Sequence, residues 1–179
     1  MMHKEHHGPS GPEFKTVLEG AQEVPPVDTA TSGKFEIKFN EDLTAAKFEL
    51  KVFNGLAITQ AHLHCAPMGV NGPVVVFLSG NVPGGFDVDG DLAEFTMRDA
   101  NIQAVGADCV PHIGVAITNL AELAAAASEG LIYANAHSVA HPGGEVRGQL
   151  VLDDDGDDDD DDDDDDGDGD DDDDDDDDD

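Results

Sequence analysis

Two histidines lie two residues apart in Ala61-His62-Leu63-His64-Cys65, and they are the sharpest chemical feature of the chain. On a β-strand, residues i and i+2 share a face and sit roughly 6.5–7 Å apart along it. His62 and His64 then project side by side, while Leu63 and Cys65 point the other way. Two imidazoles placed like this can chelate one ion, and imidazole nitrogen suits copper, zinc, nickel and iron. The plainer alternative is a pair of partly exposed histidines on a polar face. A second cluster runs from Asn135 to Glu145 as Asn135-Ala136-His137-Ser138-Val139-Ala140-His141-Pro142-Gly143-Gly144-Glu145. His137 ends an apolar strand, and His141 sits in a loop stiffened by a proline and loosened by two glycines. Two ordinary turn histidines would look the same. The two clusters together favour a metal, because protein metal sites draw their ligands from distant segments.

Other groups could add donors. Met68 offers a soft thioether to reduced copper, against the ordinary reading of a loop or packing methionine. His112 follows Pro111 beside Cys109. A free amine at Met1-Met2-His3 could bind square-planar copper or nickel through amine, amides and imidazole, or the segment is simply an arm. Arg147 reads either as a structural residue pairing with Glu145 or loop carbonyls, or as a positive charge near a metal-bound anion; the structural role is favoured. No nucleophile–base arrangement stands out. Ser138 lies near histidines without a supporting motif.

The elements that would position these residues are short alternating strands. Lys34 to Phe39 sets Phe35, Ile37 and Phe39 on one face and Lys34, Glu36 and Lys38 on the other. Ala46 to Val52 repeats the pattern. Period-two alternation of this kind marks half-buried antiparallel strands. Phe14–Glu19, Ile58–Cys65, Pro73–Leu78, Asp91–Met97, Leu131–His137 and Glu145–Leu152 complete the set. Asn40–Thr44 reads as a turn and Gly80–Gly90 as a glycine-rich loop. One helix is expected over Leu120–Ser128, capped by Asn119 and ended by Gly130. Seven or eight short strands with regular turns predict an all-β fold, an antiparallel Greek-key β-sandwich with one short helix.

Residues 1–12 read as a flexible histidine-containing arm, 13–152 as the folded domain, and 153–179 as a disordered tail of 24 aspartates and three glycines. Such a tail has no apolar surface to bury, and its charges repel one another. The net charge of −34 is therefore misleading as a global figure. Without the 24 tail aspartates, 18 of the 42 acids face eight bases, which leaves −10. Nothing in so acidic a chain could neutralise phosphates, so nucleic acid and anionic membrane surfaces are not expected partners. No apolar run reaches membrane-spanning length, so no membrane insertion is expected. Two cysteines, Cys65 and Cys109, permit one disulfide in an oxidising compartment; the alternative is two buried thiols. The start, Met1-Met2-His3-Lys4, reads as a mature terminus with an initiator methionine added, its native signal peptide removed. The expected location is secreted, extracellular or periplasmic.

Three stretches resemble the CHRD domain, the module first recognised in chordin and widespread in secreted microbial proteins. They are Leu18-Glu19-Gly20-Ala21-Gln22-Glu23-Val24-Pro25-Pro26; Ala61-His62-Leu63-His64 followed by Gly69-Val70-Asn71-Gly72-Pro73-Val74; and Gly130-Leu131-Ile132-Tyr133-Ala134-Asn135-Ala136-His137 leading to Pro142-Gly143-Gly144-Glu145-Val146-Arg147-Gly148-Gln149. The motifs stand in family order from about Phe14 to Leu152. The resemblance implies an extracellular β-sandwich and no settled activity, since fold alone does not give function. It also makes His137 the third ligand after His62 and His64. A fainter similarity is to copper–zinc superoxide dismutase, with His62, His64, His137 and Arg147 at parallel positions. No histidine lies between Cys65 and Pro111, so the loop that would supply a bridging histidine and a zinc site is missing. That leaves room for a mononuclear copper site.

The expected metal ligands are thus His62, His64, His137 and His141, with copper ahead of zinc and weak calcium binding along the tail. The function expected first is an extracellular copper-binding module. One alternative is a copper redox enzyme of superoxide-dismutase type. The other is a structural or matrix protein that meets calcium, mineral or a basic protein partner through its aspartates.

Overall fold

The fold is organised by one long strand that serves two sets of neighbours. The computed structural model describes residues 11–153; the aspartate tail beyond Asp153 and the first ten residues of the expected arm lie outside the described residues. Eight strands form one antiparallel sheet: β1 (Glu13–Glu19), β2 (Ser32–Phe39), β3 (Ala46–Cys65), β4 (Val74–Ser79), β5 (Phe86–Met97), β6 (Ile132–Ser138), β7 (Val146–Gln149) and β8 (Val151–Leu152). The strand order is β2-β1-β7-β6-β3-β4, with β5 on β3, β8 on β1, and β3 paired back to β2. That last pairing closes the sheet on itself, while β4 and β5 each pair with β3 alone among the described strands. The all-β antiparallel fold expected from the alternation is present.

Two strands expected separately, Ala46–Val52 and Ile58–Cys65, are one continuous β3. Asn54 and Ala57 between them take positive φ, 53° and 48°, and the register with β5 shifts there. The Asp89 and Asp87 carboxylates accept the N–H groups of Asn54 and Ala57 at 3.2 and 3.0 Å, which holds the irregular stretch. The first half of β3 can therefore pair with β2 and β5 while the second half turns to β4 and β6. The loop expected over Gly80–Gly90 ends early, because β5 starts at Phe86. The last expected strand is split at Leu150, which is buried and donates to the Ile132 carbonyl.

The core holds the residues that alternation assigned to it. Phe35, Ile37, Phe39, Phe48, Leu50 and Val52 are buried. Phe14 meets Phe39 edge-on at 6.0 Å, and Phe35 stacks with Phe48 at 5.8 Å. Each such side chain contributes on the order of 2 kcal/mol by leaving water. The expected helix is α2 (Leu120–Ser128), following a four-residue α1 (Val110–Ile113). Asn119 caps α2 by accepting the Glu122 N–H at 2.8 Å, and Gly130 follows it with φ 74°. Leu120, Leu123, Ala124, Ala126 and Ala127 face the core. Short 3-10 turns and α1 occupy much of the connection between β5 and α2, a stretch without periodicity. It is tied to the end of β3 by a disulfide between Cys65 and Cys109.

Candidate metal centre

The last five residues of β3, 61–65, and all of β6 are buried on both faces. On the inner face, Ala61, Leu63, Cys65, Ile132, Ala134 and Ala136 join the apolar core. On the other face the same strands carry His62 and His64, and Tyr133, Asn135 and His137, with Arg147 and Gln149 alongside on β7. The register sets His62 opposite Asn135, His64 opposite Tyr133, and Arg147 opposite Asn135. This polar layer is not open to solvent. Loop 66–73 lies against it through Arg147, which donates to the carbonyls of Pro67 (3.1 Å) and Val70 (3.0 Å). The segment after β1 is fastened by Asn71, whose amide donates to the Val24 carbonyl at 2.8 Å. Loop 139–145 is held by His137, whose Nδ1 meets the Pro142 carbonyl at 2.9 Å.

Three histidines converge in this layer. His62, His64 and His137 are 3, 7 and 7 % exposed, and one nitrogen from each lies within 4.8 Å of the others. His62 Nδ1 is 3.1 Å from His137 Nε2. Buried polar groups need partners, and the partners here fix the rings. His64 Nδ1 faces the Gly72 carbonyl at 2.9 Å and His137 Nδ1 faces that of Pro142. A carbonyl only accepts, so both rings carry their proton on Nδ1 and turn an Nε2 lone pair toward the centre. With the Gln60 amide as oriented, its Oε1 accepts from His62 Nε2 at 3.1 Å and leaves the His62 Nδ1 lone pair facing inward. Anchoring the far nitrogen on a carbonyl is how metal-ligating histidines are oriented.

Burial also keeps these rings neutral. His62 is pushed down to about 3, by burial first and then by the charges His137 and His64 would carry. His64 falls to about 4 through burial, against hydrogen bonds to Gly72 and Asn135 that favour its charged form. His137 is lowered by burial, offset in part by the Pro142 carbonyl. Neutral imidazole is the form that binds metal.

The four expected ligands divide. His62, His64 and His137 come together; His141 is outside that group, half-exposed, with Nε2 4.0 Å from a Glu145 carboxylate oxygen. Met68 is 69 % exposed and His112 is also on the surface. Arg147 is 1 % exposed, bonded to loop carbonyls and to Gln149, and stacked on Tyr133, which is the structural role of the two considered. Asn135 and Glu23 were missed as parts of the site. Asn135 Oδ1 lies 2.9 Å from His64 Nε2 and 3.1 Å from His137 Nε2. Glu23 is 4 % exposed, and burial raises it to about 7, with the Arg147 charge and a hydrogen bond from the Asn135 side chain pulling the other way. The readable signal for Asn135 was its spacing: on a strand it must share a face with His137.

The CHRD domain family matches residues 14–150, from the start of β1 to the break between β7 and β8. No curated protein and no solved structure matches the chain. The match takes in all three histidines, their carbonyl anchors and the disulfide, and the chain belongs to the CHRD domain family.

Proposed function

We propose that this chain is an extracellular metal-binding module that holds one ion, copper ahead of zinc, among His62, His64 and His137. The observation that supports this most is the convergence of three neutral imidazoles whose lone pairs point at one another. Carbonyl oxygens at Gly72 and Pro142 set two of them, and the Gln60 amide oxygen sets the third. Lone pairs at such distances repel, and a cation between them turns the repulsion into ligation. Imidazole donors suit copper and zinc, and copper(II) stands highest in affinity among the divalent first-row metals. His141 has no part in this ligand set.

Membership of the family and the disulfide both fit an oxidising, extracellular location. In this reading the domain at 13–152 carries the function, between an arm at 1–12 and an acidic tail at 153–179. The tail attracts calcium or other cations diffusely, and would serve any mineral or basic partner. A redox enzyme of superoxide-dismutase type is supported less well. The three rings are almost wholly buried, and the acidic chain steers an anion poorly.

The test is to load the untagged protein with copper, dialyse it and weigh the intact complex by mass spectrometry. One retained copper per chain is expected. It should be lost in His62→Ala/His64→Ala and kept in a chain ending at Leu152. A wild-type chain that retains no copper would overturn the reading and leave zinc and the tail to be tested.

A further inference from the structure

We propose that Asn135 is a fourth donor to the bound ion through its side-chain oxygen, making a three-nitrogen, one-oxygen centre suited to a divalent ion. This deepens the metal-binding reading and rests on it. Asn135 sits on β6, directly opposite His62 on β3 and two residues before His137. Its Oδ1 lies 2.9 Å from His64 Nε2 and 3.1 Å from His137 Nε2. Both nitrogens carry lone pairs, because each ring gives its proton to a backbone carbonyl on the far side. No hydrogen is available between the amide oxygen and either ring.

Turning the amide over would place its NH2 toward the rings. The other side of Asn135, however, meets Glu23, whose carboxyl the Asn135 side chain draws down against the effect of burial. The amide oxygen is placed toward the histidines, and the lowering of Glu23 is the effect an NH2 directed at it exerts. Glu23 is itself buried at 4 % exposure, with one carboxyl oxygen that has no hydrogen-bond partner among the described residues. With the Gln60 amide as oriented, four electron-pair atoms, His62 Nδ1, His64 Nε2, His137 Nε2 and Asn135 Oδ1, face one small space. An amide oxygen is a hard ligand. It adds to the binding of copper(II) or zinc and little to that of copper(I), which prefers soft donors.

The experiment uses the full chain with His3→Ala, which removes the amino-terminal copper(II) motif. The protein is made with asparagine labelled by 13C at the side-chain carbonyl, loaded with just under one equivalent of copper(II), and examined by electron–nuclear double resonance. A strong 13C coupling is expected, and its absence in a protein that shows imidazole nitrogen couplings would overturn the proposal. In parallel, Asn135→Leu should weaken copper(II) and zinc binding by about tenfold or more while leaving copper(I) binding little changed. Wild-type copper(II) affinity in that variant would also overturn it. A wild-type chain that binds neither copper nor zinc would instead defeat the metal-binding reading itself.

Discussion

The Tyr133 ring lies flat against the His64 imidazole, with centroids 4.7 Å apart and planes 2° from parallel, and it also carries the Arg147 guanidinium 3.5 Å from its centre. Tyr133 meets loop 66–73 as well: its hydroxyl accepts the Gly72 N–H at 3.1 Å. Arg147 grips the same loop at Pro67 and Val70. The loop that orients His64 is thus fastened by two side chains from the sheet beneath it. A buried guanidinium with several acceptors is costly to remove, because each acceptor loses its partner. Arg147→Met should destabilise the domain by about 2–4 kcal/mol, read as a lower urea midpoint with unchanged slope. Arg147→Lys should recover only part of this, since an ammonium lacks the planar fork and the stacking face. Full recovery by lysine would mean that charge alone matters there.

Stability of the metal-free domain should fall with acid from about pH 6.5. Each histidine of the cluster has a folded pKa below its ordinary value, about 3 for His62 and about 4 for His64, with His137 also lowered. Below pH 6.5 the unfolded chain binds protons that the folded one refuses, so stability declines as pH drops toward those folded values. Glu23 acts in the opposite direction. Its folded pKa is raised from 4.5 to about 7, so its contribution is full below 4.5 and is lost as pH rises toward 7. Three histidines oppose one glutamate between pH 4.5 and 6.5, and the net slope should follow the histidines. Urea denaturation at pH 7.5, 6.0 and 5.0 would measure it. A domain more stable at pH 5.0 than at 7.5 would contradict the buried neutral cluster.

Copper retention should have its own pH window. Protons and copper compete for the same lone pairs, and rings with lowered pKa lose that competition to protons only in stronger acid. Bound copper should therefore stay in place through pH 6 and begin to leave nearer pH 4, where His64 and then His62 take up protons. An unfolded or denatured control should release it near 6.5, the ordinary histidine value. Release near 6.5 from the folded protein would show that the ion does not sit on the buried cluster.

Sequence reading reached the pair His62 and His64 because period-two spacing on a strand is a local rule. It also found the core phenylalanines, the capped helix and the cysteines for the same reason. It did not see that Ala46–Cys65 is one strand, because Asn54 and Ala57 interrupt the alternation by adopting φ values that favour glycine. It weighed His141 with His137, since loop residues close in sequence look equally able to reach a site. The turn at residues 141–144 directs the Pro142 carbonyl to His137 and leaves the His141 ring beside Glu145. The alternation Tyr133, Asn135, His137 was present but hidden, because polar residues on a strand normally mark a solvent face. Here three loops cover that face, and loop placement depends on contacts distant in sequence, such as Asn71 to Val24.

The disulfide should matter to the centre as well as to the fold. Cys65 and Cys109 close a 44-residue separation, for which loop-closure entropy gives about 4 kcal/mol. Cys65 adjoins His64 and its N–H donates to the Pro73 carbonyl, at the end of the loop that anchors that histidine. Reduction, or Cys65→Ala/Cys109→Ala, should lower the melting temperature and weaken copper binding together. Bound copper should in turn restore part of the lost stability, since a ligand that binds only the folded state stabilises it. Loss of stability with copper affinity unchanged would separate the disulfide from the centre.

Gly72 provides the most local test of how the loop controls the ligand. A Cβ at this position would lie 1.9 Å from the Cys65 carbonyl oxygen and 2.7 Å from its carbon, contacts that no side chain can make without moving backbone. The Gly72 carbonyl is the group that fixes the His64 proton on Nδ1, at 2.9 Å, and its N–H is the one held by Tyr133. Gly72→Ala must push the loop away from β3 and carry that carbonyl off the ring. The imidazole is then free to move its proton to Nε2, the nitrogen that faces the ion. Copper affinity should fall by about tenfold or more, as when other outer partners of ligating histidines are lost, although every ligand is still present. Gly80→Ala is the matched control, because a Cβ there meets nothing within 4 Å. Isothermal titration of both variants with copper should separate them. Equal affinity in the two would mean that His64 does not depend on the Gly72 carbonyl for its orientation.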